Sequence, residues 1–360
     1  MSRIDPIKRA LLAAPTGERL PASAIAFLPD GTRYATGGTD GTLRVWDATA
    51  SDAIERITAL TGPTQAVSFA PGAKHVLATN GEQGAVQLWN TDGPRALATL
   101  AHAGERVQCV DFTPNGRLLV TGAADGALLL WNAESGTLQA TLQASGPSID
   151  AVAISPDGRT IASAGPDRIV RLWDLDTGKV FAQLTGHAGN VRSLAFTPNG
   201  ALLASGSEDG AIRLWDTTTR AMAASLPGHE GAVRSLAFSP DGTTLASASQ
   251  DRSVRLWNVA RRALATTMQG HESDATAVAF DPAGRTVASG SKDGTVRLWD
   301  TASGKELAVL SPQTGGITGL AFMDDGSTLA CGGEANAIAL IRAEPKSVVM
   351  PRRAALPRAH

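Results

Sequence analysis

Short apolar or alternating runs, broken at regular intervals by Pro, Asp, Asn and Gly, fill most of this chain. The stretch LAFTPNGALLASGSEDGAIRLWD (194–216) holds three such runs. A Pro-Asn-Gly turn separates the first two, and an Asp-Gly turn separates the second from the third. Alternation with a period of two, bounded by turn residues, reads as strand, hairpin, strand, hairpin, strand. A fourth run follows, as in MAASL (222–226) and ELAVL (306–310), before a loop that often contains Gly-His. The 3.6-residue apolar spacing of a helical repeat is absent. The pattern predicts four antiparallel strands per unit and no helical layer.

The unit recurs. Trp46, Trp89, Trp131, Trp173, Trp215, Trp257 and Trp299 each close a third run, with spacings of about 42 residues, a period that marks a repeat array. LAFSPDGTTLASASQDRSVRLWN (236–258) and VAFDPAGRTVASGSKDGTVRLWD (278–300) repeat the first example almost position by position. Gly-His (186–187, 228–229, 270–271), Ser-Pro-Asp-Gly (155–158, 239–242) and Trp-Asp (46–47, 173–174, 215–216, 299–300) resemble the WD-repeat (WD40) family of β-propellers. The resemblance covers residues 10–342 and implies an all-β propeller with four antiparallel strands per blade. It specifies fold far more strongly than function.

Seven tryptophans do not settle the number of units. GGEANAIALI (332–341) lies one period beyond the last, with Ile341 where an eighth Trp belongs. Counting back, Phe322, Gly326, Leu329, Ala330, Ile338 and Leu340 match Phe196, Gly200, Leu203, Ala204, Ile212 and Leu214. The expectation is an eight-bladed propeller occupying residues 1–345, with blades beginning near 24, 66, 109, 151, 193, 235, 277 and 319. A basic tail, 346–360, follows. RALLAA (9–14) stands where the fourth strand of a preceding unit would lie. In the family such an N-terminal strand pairs into the last blade and closes the ring, which assigns 1–16 that role. SVVM (347–350) is the competing segment; the N-terminal one is favoured.

Composition narrows the function classes. A chain of 360 residues exceeds the roughly 250–300 that one compact core serves, as a repeat array would. Hydrophobic residues at 43% and charged residues at 18% describe a globular chain. A net charge of −2 with interspersed signs leaves no electrostatic footprint for nucleic acid or anionic lipid. No apolar run approaches the roughly 18 residues that cross a bilayer, and the charged N-terminus does not read as a secretory signal. Cys109 and Cys331 lie in different units and suggest no disulfide framework, so a reducing cytoplasm is expected. The Ala-, Arg- and Gly-rich wording points to a bacterial source.

Three units repeat a set that looks catalytic: His187, Ser205, Asp209 and Trp215; His229, Ser247, Asp251 and Trp257; His271, Ser289, Asp293 and Trp299. Three copies argue against a hydrolase triad, which needs one constellation in one pocket. A serine hydroxyl, imidazole, carboxylate and indole N–H that satisfy one another inside each blade explain the repetition better. In the family these residues resemble a structural hydrogen-bond tetrad. Other units are incomplete. The first has Glu18 for His beside Thr36, Asp40 and Trp46, and the second has Gln83 for Asp. The third keeps Thr121 and Asp125 with His102 out of register, and the fourth has Ser145 for His beside Ser163, Asp167 and Trp173. The eighth reads Cys331, Ala335 and Ile341. No catalytic residue, cofactor site or metal site is expected, since neither close-spaced ligands nor a phosphate-cradling loop occurs.

The remaining candidates lie where otherwise similar units differ. One variable position precedes the turn Asp: Glu208, Gln250 and Lys292, with Thr39, Glu82, Ala124, Pro166 and Glu334 elsewhere. Others flank the start of the first strand: Arg106, Asp150, Arg192, Arg234 and Asp274. In WD-repeat propellers such positions resemble the rim of the narrower face, where partners dock. Arg192 and Arg234, in adjacent units, suggest a basic patch for an acidic peptide. Asp111 replaces the small residue found at the equivalent position of every other unit and would face a central channel. The expected function is a monomeric, non-enzymatic scaffold for protein or peptide partners, without nucleic acid or membrane. Channel chemistry at Asp111, or a sensor module serving a separate signalling protein, are the alternatives.

Overall fold

Four-stranded antiparallel sheets repeat along the whole computed structural model. It describes residues 107–143, 146, 148–312 and 315–322, and elsewhere only strands, from Arg9–Leu11 to Ile338–Ala343. The described residues form eight such sheets and contain no helix. Seven are built from consecutive strands, and are numbered one to seven here in chain order. Sheet five, for example, runs Val191–Phe196, Leu202–Ser207, Ile212–Asp216 and Met222–Leu226.

The remaining sheet is the exception. Ile317–Phe322, Thr328–Gly333 and Ile338–Ala343 supply three strands, and Arg9–Leu11 supplies the fourth. Ala10 pairs with Arg342 and Leu11 with Ile341, so the chain's first described strand lies against its last. Residues 347–350 lie outside the described residues. Within this sheet Leu329 pairs with Ile341 as Leu203 pairs with Trp215 in sheet five, so register survives the loss of the indole.

Turn chemistry explains why each unit folds locally. In Ser155-Pro156-Asp157-Gly158 the Ser155 hydroxyl donates to Asp157 Oδ1 at 2.5 Å, and Ser155 Oγ accepts the Thr160 N–H at 2.9 Å. Gly158 takes φ +70°, a left-handed conformation that costs a residue without Cβ nothing. At the hairpin between the third and fourth strands, the residue after Trp holds the turn: Asp216 Oδ1 accepts the Thr219 N–H at 2.6 Å and Asn258 Oδ1 the Arg261 N–H at 2.7 Å.

The core lies between sheets, not inside one. Val170, Leu172 and Leu184 of sheet four pack with Val191, Leu203 and Trp215 of sheet five. Ile212, Leu214 and Leu226 of sheet five likewise meet Val233, Leu245 and Trp257 of sheet six. Each described Trp thus seals its sheet against the preceding one, and each seam buries apolar area worth about 25 cal/mol per Å². The first strands of successive sheets are neighbours from Ala22–Phe27 through Ile317–Phe322, and the last of these lies beside the first. The inner strands therefore make a closed circuit, with variable loops gathered at its ends.

Candidate functional site

The Ser, His, Asp and Trp of sheets five, six and seven converge within each sheet. In sheet five, Trp215 Nε1 donates to Ser205 Oγ at 2.8 Å, and Ser205 Oγ lies 2.7 Å from His187 Nε2. His187 Nδ1 stands 3.1 Å from Asp209 Oδ2, which also accepts the Ala188 N–H at 2.7 Å. Sheet six repeats the chain through Trp257, Ser247, His229 and Asp251 at 2.9, 2.8 and 2.7 Å. Sheet seven does so through Trp299, Ser289, His271 and Asp293 at 2.8, 2.8 and 3.0 Å.

Proton placement follows from the partners. A carboxylate only accepts, so in sheets six and seven the imidazole carries its proton on Nδ1, while in sheet five His187 Nδ1 also faces the Arg213 guanidinium, which only donates. In sheets six and seven the indole fills one lone pair of the serine oxygen, whose own proton goes to Nε2. Burial pushes each imidazole pKa down despite the aspartate beside it, which keeps the ring neutral. Burial pushes the Asp209 carboxyl up, but bonds from Ala188, Ala211 and His187 outweigh it and hold the pKa at about 2. Ser205, Ser247 and Ser289 are each 0% exposed, so no substrate reaches the one atom that could attack it.

In sheets four, five and six the arginine two residues before Trp joins the same network, a role that residue type alone did not reveal, whereas in sheet seven Arg297 pairs with Glu306 instead. Arg171, Arg213 and Arg255 approach Asp167, Asp209 and Asp251 at 2.6, 3.0 and 3.9 Å. In sheet four, whose expected histidine position Ser145 lies outside the described residues, Arg171 is buried against a partly exposed Asp167, and Trp173 still donates to Ser163 at 2.8 Å. Gly186 and Gly228 of Gly-His take φ +144° and +150°, which side chains with a Cβ rarely adopt, and the neighbouring guanidinium groups crowd this position as well. A Cβ on Gly228 would fall 2.2 Å from Arg255 Nη1, and one on Gly270 2.5 Å from Arg297 Nη1. The signal was visible as the recurrence of Arg and Gly; their adjacency was not.

In sheet three Trp131 donates to Thr121 at 3.1 Å, and Asp125 caps the Ala127 N–H at 2.9 Å. Cys331 stands at the serine position of the sheet closed by Arg9–Leu11, buried in an apolar cluster with Leu298, Ile317 and Leu329. The candidates Glu18, Asp40, Gln83, His102, Arg106 and Ala335 lie outside the described residues, as do the side chains of Thr36, Trp46 and Ile341.

The variable positions are brought together on one edge. Glu208, Gln250 and Lys292 donate their backbone N–H groups to the carbonyls of Asn190, Ala232 and Asp274 at 2.8, 2.9 and 2.9 Å. Each turn is thereby fastened to the loop that enters its inner strand. The side chains then pair unequally. Arg192 bridges Asp150 at 2.7 Å and Glu208 at 2.6 Å, and Lys292 pairs with Asp274 at 3.2 Å. The expected Arg192–Arg234 basic patch is therefore revised: two carboxylates already occupy Arg192, leaving Arg234 as the available member.

Asp111 accepts the Ile154 N–H of the next inner strand at 3.2 Å. Desolvation raises its carboxyl to about 7 against the pull of that bond. Cys109, two residues earlier, sits 3.7 Å from the Ile149 carbonyl, and burial followed by the nearby Asp150 charge pushes its thiol up to about 12. Such a thiol is protonated and a poor nucleophile.

The WD domain, G-beta repeat family matches residues 14–47, 95–132, 136–174, 178–216, 221–258, 262–300 and 304–340. This chain is a member of the WD40 family. The seven matched segments include 304–340, which lacks the Trp, and pass over 48–94. That interval holds most of sheet two and Trp89, in the unit with Gln83 in place of the turn aspartate. Among curated relatives, the Dictyostelium discoideum "Periodic tryptophan protein 2 homolog" is 26% identical over 109 residues, 30% of this chain and 12% of that protein. The Penicillium oxalicum "WD40 repeat protein poxJ" is 32% identical over 104 residues, 28% of this chain and 30% of its own. The Bos taurus "Transducin beta-like protein 3" is 28% identical over 102 residues, covering 28% and 13% respectively. These alignments span less than a third of each relative, and all three organisms are eukaryotes, so they lend no support to a bacterial source. A solved structure of the computationally designed Ika8 protein superposes with a TM-score of 0.81 at 24% identity, covering 92% of this chain and 99% of its own. At that identity the likeness speaks for the WD40 fold alone.

Proposed function

We infer that this WD40 chain is a non-enzymatic scaffold that binds a protein or peptide partner on the variable edge of a rigid ring. One contrast carries the reading. Its catalytic-looking residues spend their hydrogen bonds on one another at buried positions, while the residues that differ between units meet at accessible loops. The wider family's character as interaction scaffolds supports it. The closed circuit of inner strands and the pairing of Arg9–Leu11 with Ile338–Ala343 support an eight-bladed propeller over 1–345, with 346–360 as a basic tail. Balanced charge favours a protein partner over nucleic acid or membrane, and the working state is a cytoplasmic monomer. Chemistry at Asp111 is the weaker reading, because its carboxylate already serves the neighbouring strand and the thiol beside it is protonated.

The test places a photo-crosslinking residue at position 208 or 292, or at Met222 on an outer strand, in the full chain expressed in its native host. The scaffold reading expects specific adducts from 208 and 292 and none from 222. Adducts confined to 222 would move the docking surface elsewhere.

A further inference from the structure

Arg192 and Arg234 occupy the same register on adjacent inner strands, each following a valine paired to the serine before the variable turn. Their surroundings differ by two residues. Arg192 meets Glu208 from the turn of its own sheet and Asp150 from the preceding inner strand. The corresponding neighbours of Arg234 are Gln250 and Arg192 itself, so both carboxylates are missing. Arg234 is half-buried and makes no hydrogen bond or ion pair with any described residue. A partly desolvated charge left without a partner is an unfavourable arrangement that an external carboxylate would relieve.

A second observation falls on the same turn. Among the described residues, four non-glycine residues take left-handed backbone conformations: Arg168, Arg220, Arg252 and Arg262, at φ +67, +60, +70 and +54°. Three of them reach a neighbouring sheet in return. Arg168 donates to the Ala188 carbonyl at 3.2 Å, Arg262 donates to the Ala223 carbonyl at 2.6 Å, and Arg220 lies over the Phe181 ring at 4.8 Å. Arg252 is exposed and has no such contact among the described residues. Sheets three, five and seven place Gly126, Gly210 and Gly294 at its position, where the backbone is unstrained. A strained residue without compensating contacts inside the fold points to a use outside it.

Local structure brings these groups to one place. Ser249 pairs with Val233, the Gln250 N–H holds the Ala232 carbonyl, and Asp251 is pinned to His229. We propose that Arg234, Gln250 and Arg252 form a docking site for an acidic polypeptide segment, with one carboxylate on Arg234 and a second on Arg252. The Gln250 amide donates between them. This rests on the scaffold reading and gives it a partner chemistry. A polyphosphate chain is the poorer occupant, because Asp150, Glu208 and Asp274 already hold Arg192 and Lys292, which leaves two spaced guanidinium groups and no continuous basic track for a run of charge.

The probes are a labelled short peptide alternating glutamate with glycine, its glutamine counterpart, and a single-stranded DNA of similar length. Fluorescence anisotropy reads their binding to the full chain at low and physiological salt. The acidic peptide is expected to bind best and to weaken as salt rises. Gln250→Glu rebuilds the carboxylate that closes Arg192 and should weaken binding about threefold to tenfold, as should Arg234→Gln. Arg252→Gly should also weaken binding while raising the melting temperature, because it removes backbone strain; a folding defect would not separate those readouts. Equal affinity for the glutamine peptide, tighter binding of DNA, or unchanged affinity in Gln250→Glu and Arg252→Gly would each overturn the proposal. Partner adducts at position 208 with no preference for the acidic peptide would remove this inference and leave the scaffold standing. Loss of both would remove the scaffold reading as well.

Discussion

At the scale of single residues, the serine of each network is defined by how completely its oxygen is used. Ser247 receives the Trp257 N–H and faces His229 Nε2, so Ser247→Ala strands an indole donor and an imidazole in the interior. The expected cost is ~1–3 kcal/mol, read as a lower denaturant midpoint without a change in slope. pH dependence has two opposing sources. The three imidazoles titrate below the free value of 6.5 and Asp209, Asp251 and Asp293 at about 2, below the free value of 3.8. In both cases the unfolded chain binds protons more readily, so their stabilisation is complete above the free values and lost as pH falls. Asp111 acts in reverse: raised from 3.8 to about 7, it removes stability as pH climbs through that window. Asp111→Asn should therefore raise the melting temperature more at about pH 8 than at about pH 4, where the wild-type carboxyl is already protonated in the fold. An equal gain at both would mean that its carboxyl titrates near the ordinary value.

At the scale of elements, the telling strand is Arg9–Leu11. It gives Ile338–Ala343 an outer partner, and without it that strand is an open edge. Removing residues 1–16 is expected to lower the melting temperature sharply and promote association through the exposed edge. An unchanged melting temperature would instead point to 347–350 as the partner. The same sheet tolerates Cys331 where others have serine, because Leu298, Ile317 and Leu329 surround it with apolar groups.

At the scale of the whole molecule, the inner strands run in a closed circuit and each described seam shares one apolar cluster between two sheets. A closed array has no end from which to fray, unlike an open repeat array that opens from its termini. Tryptophan fluorescence and far-ultraviolet dichroism are thus expected to report one coincident unfolding transition. After removal of residues 1–16 the two probes should separate, as terminal sheets loosen before central ones. Coincident curves in the truncated chain would show that closure does not supply the cooperativity.

The sequence by itself determined the strands, turns, period and blade-like register, because each depends on residues a few positions apart. Alternation places side chains in or out, Asp and Gly make the turns, and Ile341 keeps the place of an absent Trp through backbone pairing with Leu329. The composition of the buried networks was legible for the same reason, since His, Ser, Asp and Trp return at fixed offsets. Only the tertiary structure decided which charges are spent. Arg192 and Arg234 are identical by type and register, and the difference between them is written partly on the preceding strand, a full repeat away, as Asp150 beside one and Arg192 beside the other. Arg252 is likewise an ordinary turn residue until its left-handed backbone is set beside the contacts that Arg168, Arg220 and Arg262 make and it lacks. Electrostatic pairing acts through space between neighbouring sheets, and no periodicity along the chain encodes it.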